Sequence, residues 1–158
     1  MEQFFTQNNE IILKLIIAIV LGMFIGAERL LVHKEAGMKT HSLVAMGATL
    51  FIIVSEFLSE KYAGVSGFNP GIIASNIVVG IGFLGAGLII LHGDRLMGLT
   101  TASGLWVTAG IGIAVGFGLF NLATISTVLV LLIFITMNIL EKPIRKISDK
   151  NENLSRDI

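Results

Sequence analysis

Five stretches of this chain, residues 11–31, 41–58, 71–91, 99–117 and 122–140, are almost free of charge and are separated by short polar segments. Each is close to the ~20 apolar residues a helix needs to cross a hydrocarbon core about 30 Å thick. None shows the polar face that a helix of a soluble bundle keeps toward water. The pattern predicts an all-α integral membrane protein with about five transmembrane helices within residues 1–141. Residues 142–158 form a short polar tail that lies on the surface or is disordered. Four helices plus a re-entrant hairpin is the alternative, because Gly116, Gly118 and Asn121 force a very tight return between the last two runs. Lys14 interrupts only the first run, near its start, where its long side chain can snorkel to the interface. Gly37 supplies a turn before the second run. The sequence AGVSGFNP at 63–70 marks a loop, with Pro70 suited to a first helical turn.

Within these runs the small residues have a pattern of their own. Gly80, Gly82, Gly85 and Gly87 are poor choices for an isolated helix in water, each costing about 1 kcal/mol relative to alanine. Helices in lipid associate by close backbone approach, which small residues permit. The run 71–91 is therefore predicted to be the central, protein-surrounded helix. Gly104, Thr108, Gly112 and Gly116 recur every fourth residue and predict a face against which another helix lies closely. Gly22 and Gly26 repeat the signal in the first run. GIGFLGAG at 80–87 echoes GIGIAVGFG at 110–118, and shared packing needs account for the echo.

Composition agrees with a membrane domain: 54% of residues are hydrophobic and only 14% charged, with mean hydropathy +0.86. A soluble domain of this size needs more polar surface. There is no cysteine, which excludes disulfides, thiolate catalysis and cysteine metal sites. The first apolar run is preceded by Glu2 and Glu10 and followed by four more runs, so it does not read as a cleaved signal. The net charge is zero, but the 11 lysines and arginines are segregated. With the N-terminus outside and the C-terminus inside, all but Lys14 and Lys61 fall on the cytoplasmic side.

No catalytic motif is present, and the chain is predicted to be non-enzymatic, with no cofactor and no nucleic-acid partner. GIGFLGAG follows no strand and opens no helix, so it is not a nucleotide loop. The predicted topology gathers one polar cluster on the cytoplasmic face: Glu28 and Arg29, then Lys39, Thr40 and His41, then Asp94 and Arg95, then Thr100 and Thr101. Charged groups at membrane depth are expensive unless paired, which makes Glu28 with a basic partner a half-buried ion pair. Such a pair is either functional or an anchor for helix ends. Glu28, His41 and Asp94 can in principle bind a hard divalent cation, although two carboxylates from separate loops specify no metal. His33 and His92 read as interfacial residues. Asn76, in the third run, either hydrogen-bonds across helices or lines an ion path.

Taken in order, GMFIGAERL at 22–30, GMKTHSLVAMGA at 37–48, NPGIIASNIVVGIGFLGAG at 69–87 and GLTTASGLWVTAGIGIAVGFG at 98–118 resemble the MgtC/SapB family of bacterial inner-membrane proteins. The resemblance covers about residues 21–140 and implies a five-helix membrane domain. It also implies a role connected with growth under magnesium limitation, with virulence and, in some members, with inhibition of the F-type ATP synthase through contacts in the membrane. Many members carry a cytosolic ACT-like domain, whereas this chain stops at Ile158 and looks like a short form. Glu28, Arg29, Lys39, Thr40, His41, Asn76, Thr100 and Thr101 are the motif positions carried over as candidates.

Two functions follow. The first is a regulator in magnesium or ion homeostasis that acts within the bilayer on another integral membrane protein or on itself. The second is a small homo-oligomeric magnesium transporter or channel, with Glu28, Asn76 and Asp94 along its path.

Overall fold

The computed structural model describes residues 2–63, 69, 71–93 and 95–156, with side chains over 8–63, 69, 71–93 and 96–141. The elements are α1 (Glu2–Leu31), α2 (Met38–Lys61), α3 (Gly71–Ala86), β1 (Ile90–His92), β2 (Arg95–Met97), α4 (Leu99–Gly116) and α5 (Phe120–Arg156). Among the described residues, four helices carry segments long and apolar enough to cross a membrane: Asn8–Leu31, Met38–Lys61, Leu99–Gly116 and Phe120–Glu141. In lipid an apolar segment must satisfy its own backbone, and helix is the local solution.

Side-chain contacts fix how these helices are laid together. Lys14 Nζ lies 3.4 Å from Glu56 Oε2, joining the early part of α1 to the late part of α2. At the opposite end Asn138 of α5 reaches Glu28 of α1, and Thr101 of α4 reaches Glu35 in the α1–α2 turn. The helices therefore alternate in direction between the two ends. Lys14 does not snorkel outward, as its place in the sequence suggests. It is only 8% exposed, because Glu10 on its own helix and Glu56 on α2 both pair with it.

The third run departs most from its sequence reading. α3 stops at Ala86 rather than near Leu91, and its 16 residues span about 24 Å at 1.5 Å per residue. The chain then turns into an antiparallel hairpin in which Ile90 pairs with Met97, Leu91 with Leu96 and His92 with Arg95. Hydropathy cannot see this end because Leu88 to Leu91 remain apolar, while β-branched Ile89 and Ile90 suit a strand. Gly98, at φ 87°, closes the hairpin onto α4, and a Cβ there would stand 1.9 Å from the Leu88 carbonyl oxygen. α3 is also not the central helix, since Ile81 and Gly85 are its only buried residues. That place belongs to α4, which packs against α1, α2, α3 and α5 and buries more than half of its residues.

The small residues explain the difference. Along α4, a Cβ on Gly112 would lie 2.2 Å from the Ala45 carbonyl oxygen, and one on Gly116 would lie 2.5 Å from Ile52 Cβ. Gly104 sits beneath Phe134 and His41, and Thr108 is fully buried. Gly22 and Gly26 face the backbone of His41 and Met38 equally closely, so α1 and α4 clasp α2 from two sides. In the third run, by contrast, Gly80 and Gly82 face open space and Gly87, just past the end of α3, meets only carbonyls of the preceding turn. Only Gly85 touches another helix, 3.5 Å from Ala102 Cβ. A glycine-rich segment marks possible close approach, and only the neighbour's position decides which glycines are used.

The main core forms where α1, α2, α4 and α5 meet, around Ala18, Ile25, Ala45, Val115, Ala123 and Phe134. Two matching chain reversals frame it. At the end of α1, Lys34 N–H donates to Arg29 O and His33 N–H to Leu30 O, with His33 at φ 56°. At the end of α4, Leu119 N–H donates to Ala114 O and Gly118 N–H to Val115 O, with Gly118 at φ 72°. Both are Schellman caps, which use a left-handed residue to satisfy the last carbonyls. The second cap makes the tight return that Gly116 to Asn121 suggest. The α5 backbone stays helical past the expected end at residue 140, reaching Arg156, although its apolar part ends at Glu141. Hydropathy marks where lipid-compatible side chains stop; the Glu, Lys and Arg beyond remain good helix formers.

Candidate functional site

The polar site begins in the last turn of α1, which Gly26 brings against the start of α2. Neighbouring residues on a helix point about 100° apart, and Glu28 and Arg29 use that divergence. The Glu28 carboxylate faces α5, where Asn138 Nδ2 donates to Oε1 at 2.9 Å. Arg29 turns back toward it: Nε donates to Glu28 Oε2, and Nη2 lies against the same oxygen as an ion pair, at an angle that makes no hydrogen bond. The guanidinium carbon rests 3.5 Å from the centroid of the Phe134 ring. Arg29 is 1% exposed and Glu28 8% exposed. The pair is therefore desolvated, and such a pair persists only where its charges neutralise each other and its remaining lone pairs find donors. Asn138 and the Phe134 face supply these conditions.

Next to the pair, on α2, His41 is completely buried. Its Nδ1 lies 2.8 Å from Thr108 Oγ1, and that hydroxyl donates its only proton to the Gly104 carbonyl at 2.8 Å. Nδ1 must then carry a proton, and Nε2, the lone-pair nitrogen of a neutral ring, is buried without a described partner. Further along the same seam, Thr49 Oγ1 donates to Gly112 O at 2.7 Å. The α2–α4 contact is thus stitched by polar groups at Gly104, Thr108 and Gly112, while at Gly116 it is apolar, against Ile52.

The remaining candidates separate. Thr101 is buried and donates to Glu35 Oε2 at 2.9 Å, tying the α1–α2 turn to the start of α4. Glu35 lies outside the spanning helices, and its own backbone amide, helped by Thr101, holds its carboxyl below the ordinary range. Thr100 is exposed and apart from the cluster. Lys39 and Thr40 are also exposed, at the mouth of a groove between α2 and α3. Asn76 is exposed and lines that groove, with no hydrogen-bond partner, interhelical or otherwise, among the described residues. Asp94 and the Arg95 side chain lie outside the described residues. Among the described residues, no three His, Asp or Glu side chains gather where a metal ion could be held.

Sequence reasoning grouped Glu28, Arg29 and His41, but missed Asn138, Phe134 and Glu35. Asn138 carried a readable signal, because an amide within an apolar spanning run usually faces the bundle interior. Phe134 shares its helix face, four residues earlier.

The fold and site define a multi-pass α-helical membrane protein whose one described buried carboxylate is locked into an ion pair at one end of the bundle. The chain belongs to the MgtC family, whose model matches residues 15–143. It is 41% identical over 129 residues to the Escherichia coli (strain K12) protein named "Putative magnesium transporter YhiD", covering 78% of this chain and 59% of that one. It is 46% identical over 120 residues to Protein MgtC of Salmonella typhimurium (strain LT2), covering 76% and 49% respectively. The chain spans about half the length of the curated relatives it matches. No solved structure matches it.

Proposed function

We propose that this chain is a non-enzymatic protein of the bacterial inner membrane that acts in magnesium or ion homeostasis through contacts with other integral membrane proteins or with a second copy of itself. The observation that carries this reading is the engagement of Glu28, whose Oε1 is taken by Asn138 and Oε2 by Arg29. A carboxylate held in this way braces α1 against α5, and both of its oxygens are already engaged. α3 supports the same reading, because its outward face leaves Val79 73% and Phe83 81% exposed to whatever lies beside it in the bilayer. The magnesium connection comes from the name of the E. coli relative. The N-terminus is placed outside and the C-terminus inside by the charge segregation. Cysteines introduced at Ser66 and Ser148 should then label from the outside and the inside respectively; the reverse pattern overturns this orientation, and labelling of both from one side overturns the five-helix assignment.

A second reading, a homo-oligomeric divalent-cation transporter, is favoured by that same relative's name. Purified protein in liposomes loaded with a magnesium-sensitive dye separates the two. No magnesium flux above empty liposomes, together with recovery of a defined membrane partner after crosslinking in cells, supports the contact reading. Flux that is saturable in magnesium and lost in Glu28→Gln replaces it with the transporter.

A further inference from the structure

Between α2 and α3 runs an open apolar groove of about 770 Å³, floored by Ala109 of α4. It exists because both walls are small at the middle: Gly47 on α2 and Gly80 on α3 each face open space, with nothing within 4 Å of where a Cβ would stand. On α2 its lining extends from Lys39 to Phe51, about 18 Å at 1.5 Å per residue. That length is close to one leaflet, about half of the 30 Å hydrocarbon core. The groove's ends are also chemically unequal. Lys39 and Thr40 stand at its mouth, and both are exposed. Lys39 has no ion-pair partner among the described residues, unlike Lys14, which is doubly paired.

We propose that this groove is a binding site for an anionic phospholipid of the leaflet on the Lys39 side, with an acyl chain along Gly47 and Gly80 and its phosphate at Lys39 and Thr40. The three features fit one another. A cation at the membrane surface with no counter-charge among the described residues favours negative headgroups. A hydroxyl beside it donates to a phosphate oxygen, and the small residues leave a channel the width of a chain. A partner's transmembrane helix fits less well, because it needs a contact surface through the full core of about 30 Å. The site makes no use of the Glu28 cluster, so it stands or falls separately from the proposed function.

The test is native mass spectrometry of the delipidated full chain in detergent, titrated with phosphatidylglycerol or phosphatidylcholine. Wild type should retain phosphatidylglycerol preferentially. Lys39→Gln should lower phosphatidylglycerol retention about five-fold while leaving phosphatidylcholine unchanged. Gly47→Leu fills the groove without meeting another atom at its Cβ, and should lower retention of both lipids at least ten-fold with unchanged helical content. Gly80→Leu serves as the second filling variant from the opposite wall. Asn76→Leu should leave retention unchanged, since an acyl chain makes no hydrogen bond. Glycerol phosphate should not compete, because the chain supplies the affinity. The proposal is overturned by equal retention of the two lipids in wild type, by undiminished retention in both filled variants, or by competition from glycerol phosphate. Loss of a dimer in Gly47→Leu or Asn76→Leu with lipid retention intact overturns it in favour of a second copy in the groove.

Discussion

Gly110 and Gly112 are two residues apart on the central helix, and the same substitution should act on them with opposite sign. A Cβ on Gly112 would lie 2.2 Å from the Ala45 carbonyl oxygen and 2.9 Å from Ala48 Cβ. The first of these neighbours is backbone and cannot rotate away, so α2 must move off α4. Overpacking of this kind costs about 1–3 kcal/mol. The same displacement pulls Thr49 Oγ1 from the Gly112 carbonyl, now 2.7 Å away, and a lost hydrogen bond adds about 0.5–1.5 kcal/mol. Gly112→Ala should therefore destabilise the bundle by about 2–4 kcal/mol. Gly110 has nothing within 4 Å of its Cβ position. There the methyl group only relieves the helix of glycine's conformational entropy, a gain of about 0.5–1 kcal/mol. The assay is thermal and denaturant unfolding of both variants and wild type in one detergent, followed by far-UV circular dichroism. A lower midpoint for Gly112→Ala and an equal or higher one for Gly110→Ala is the expected result. Equal midpoints for the two variants would refute the close α2–α4 approach.

Arg29→Met strands the Glu28 carboxylate in a buried site and should cost about 3–5 kcal/mol, much of it recovered in the double variant Glu28→Gln, Arg29→Met; additive losses in the unfolding assay would show that the pair is not coupled. His33 holds a left-handed conformation with a side chain, so His33→Gly should raise stability by roughly 1 kcal/mol, and a fall in the unfolding midpoint would argue against the cap. Glu35 has a folded pKa below its ordinary value of 4.5, so its contribution is present above that value and fades as pH falls through the lowered one. Thr101→Val should move the Glu35 titration, followed by NMR of the labelled carboxyl, up toward the ordinary value; an unmoved titration would show that the Thr101 hydroxyl is not its partner in solution.

The separation of contributions is visible in particular residues. The need for a spanning segment to be apolar throughout is written in local composition, so the helices of this membrane protein were legible with no knowledge of their neighbours. The close face Gly104, Thr108, Gly112 and Gly116 was legible too, because its spacing matches one side of a helix. The grouping of Glu28, Arg29 and His41 followed from the alternation of helix directions alone. What composition could not decide was which glycines meet a neighbour. Gly80 and Gly112 sit in equally glycine-rich runs, yet one faces empty space and the other a carbonyl oxygen. Nor could it end α3 at Ala86, because a helix and a strand of Leu and Ile have the same hydropathy. The partner of Glu28 was half legible: adjacent Arg29 is its cation, but Asn138 lies 110 positions away. Local sequence sets what each segment can bury and which near neighbours pair, and long-range packing chooses which distant polar atoms meet, since a hydrogen bond depends on ångström-scale placement that no periodicity encodes.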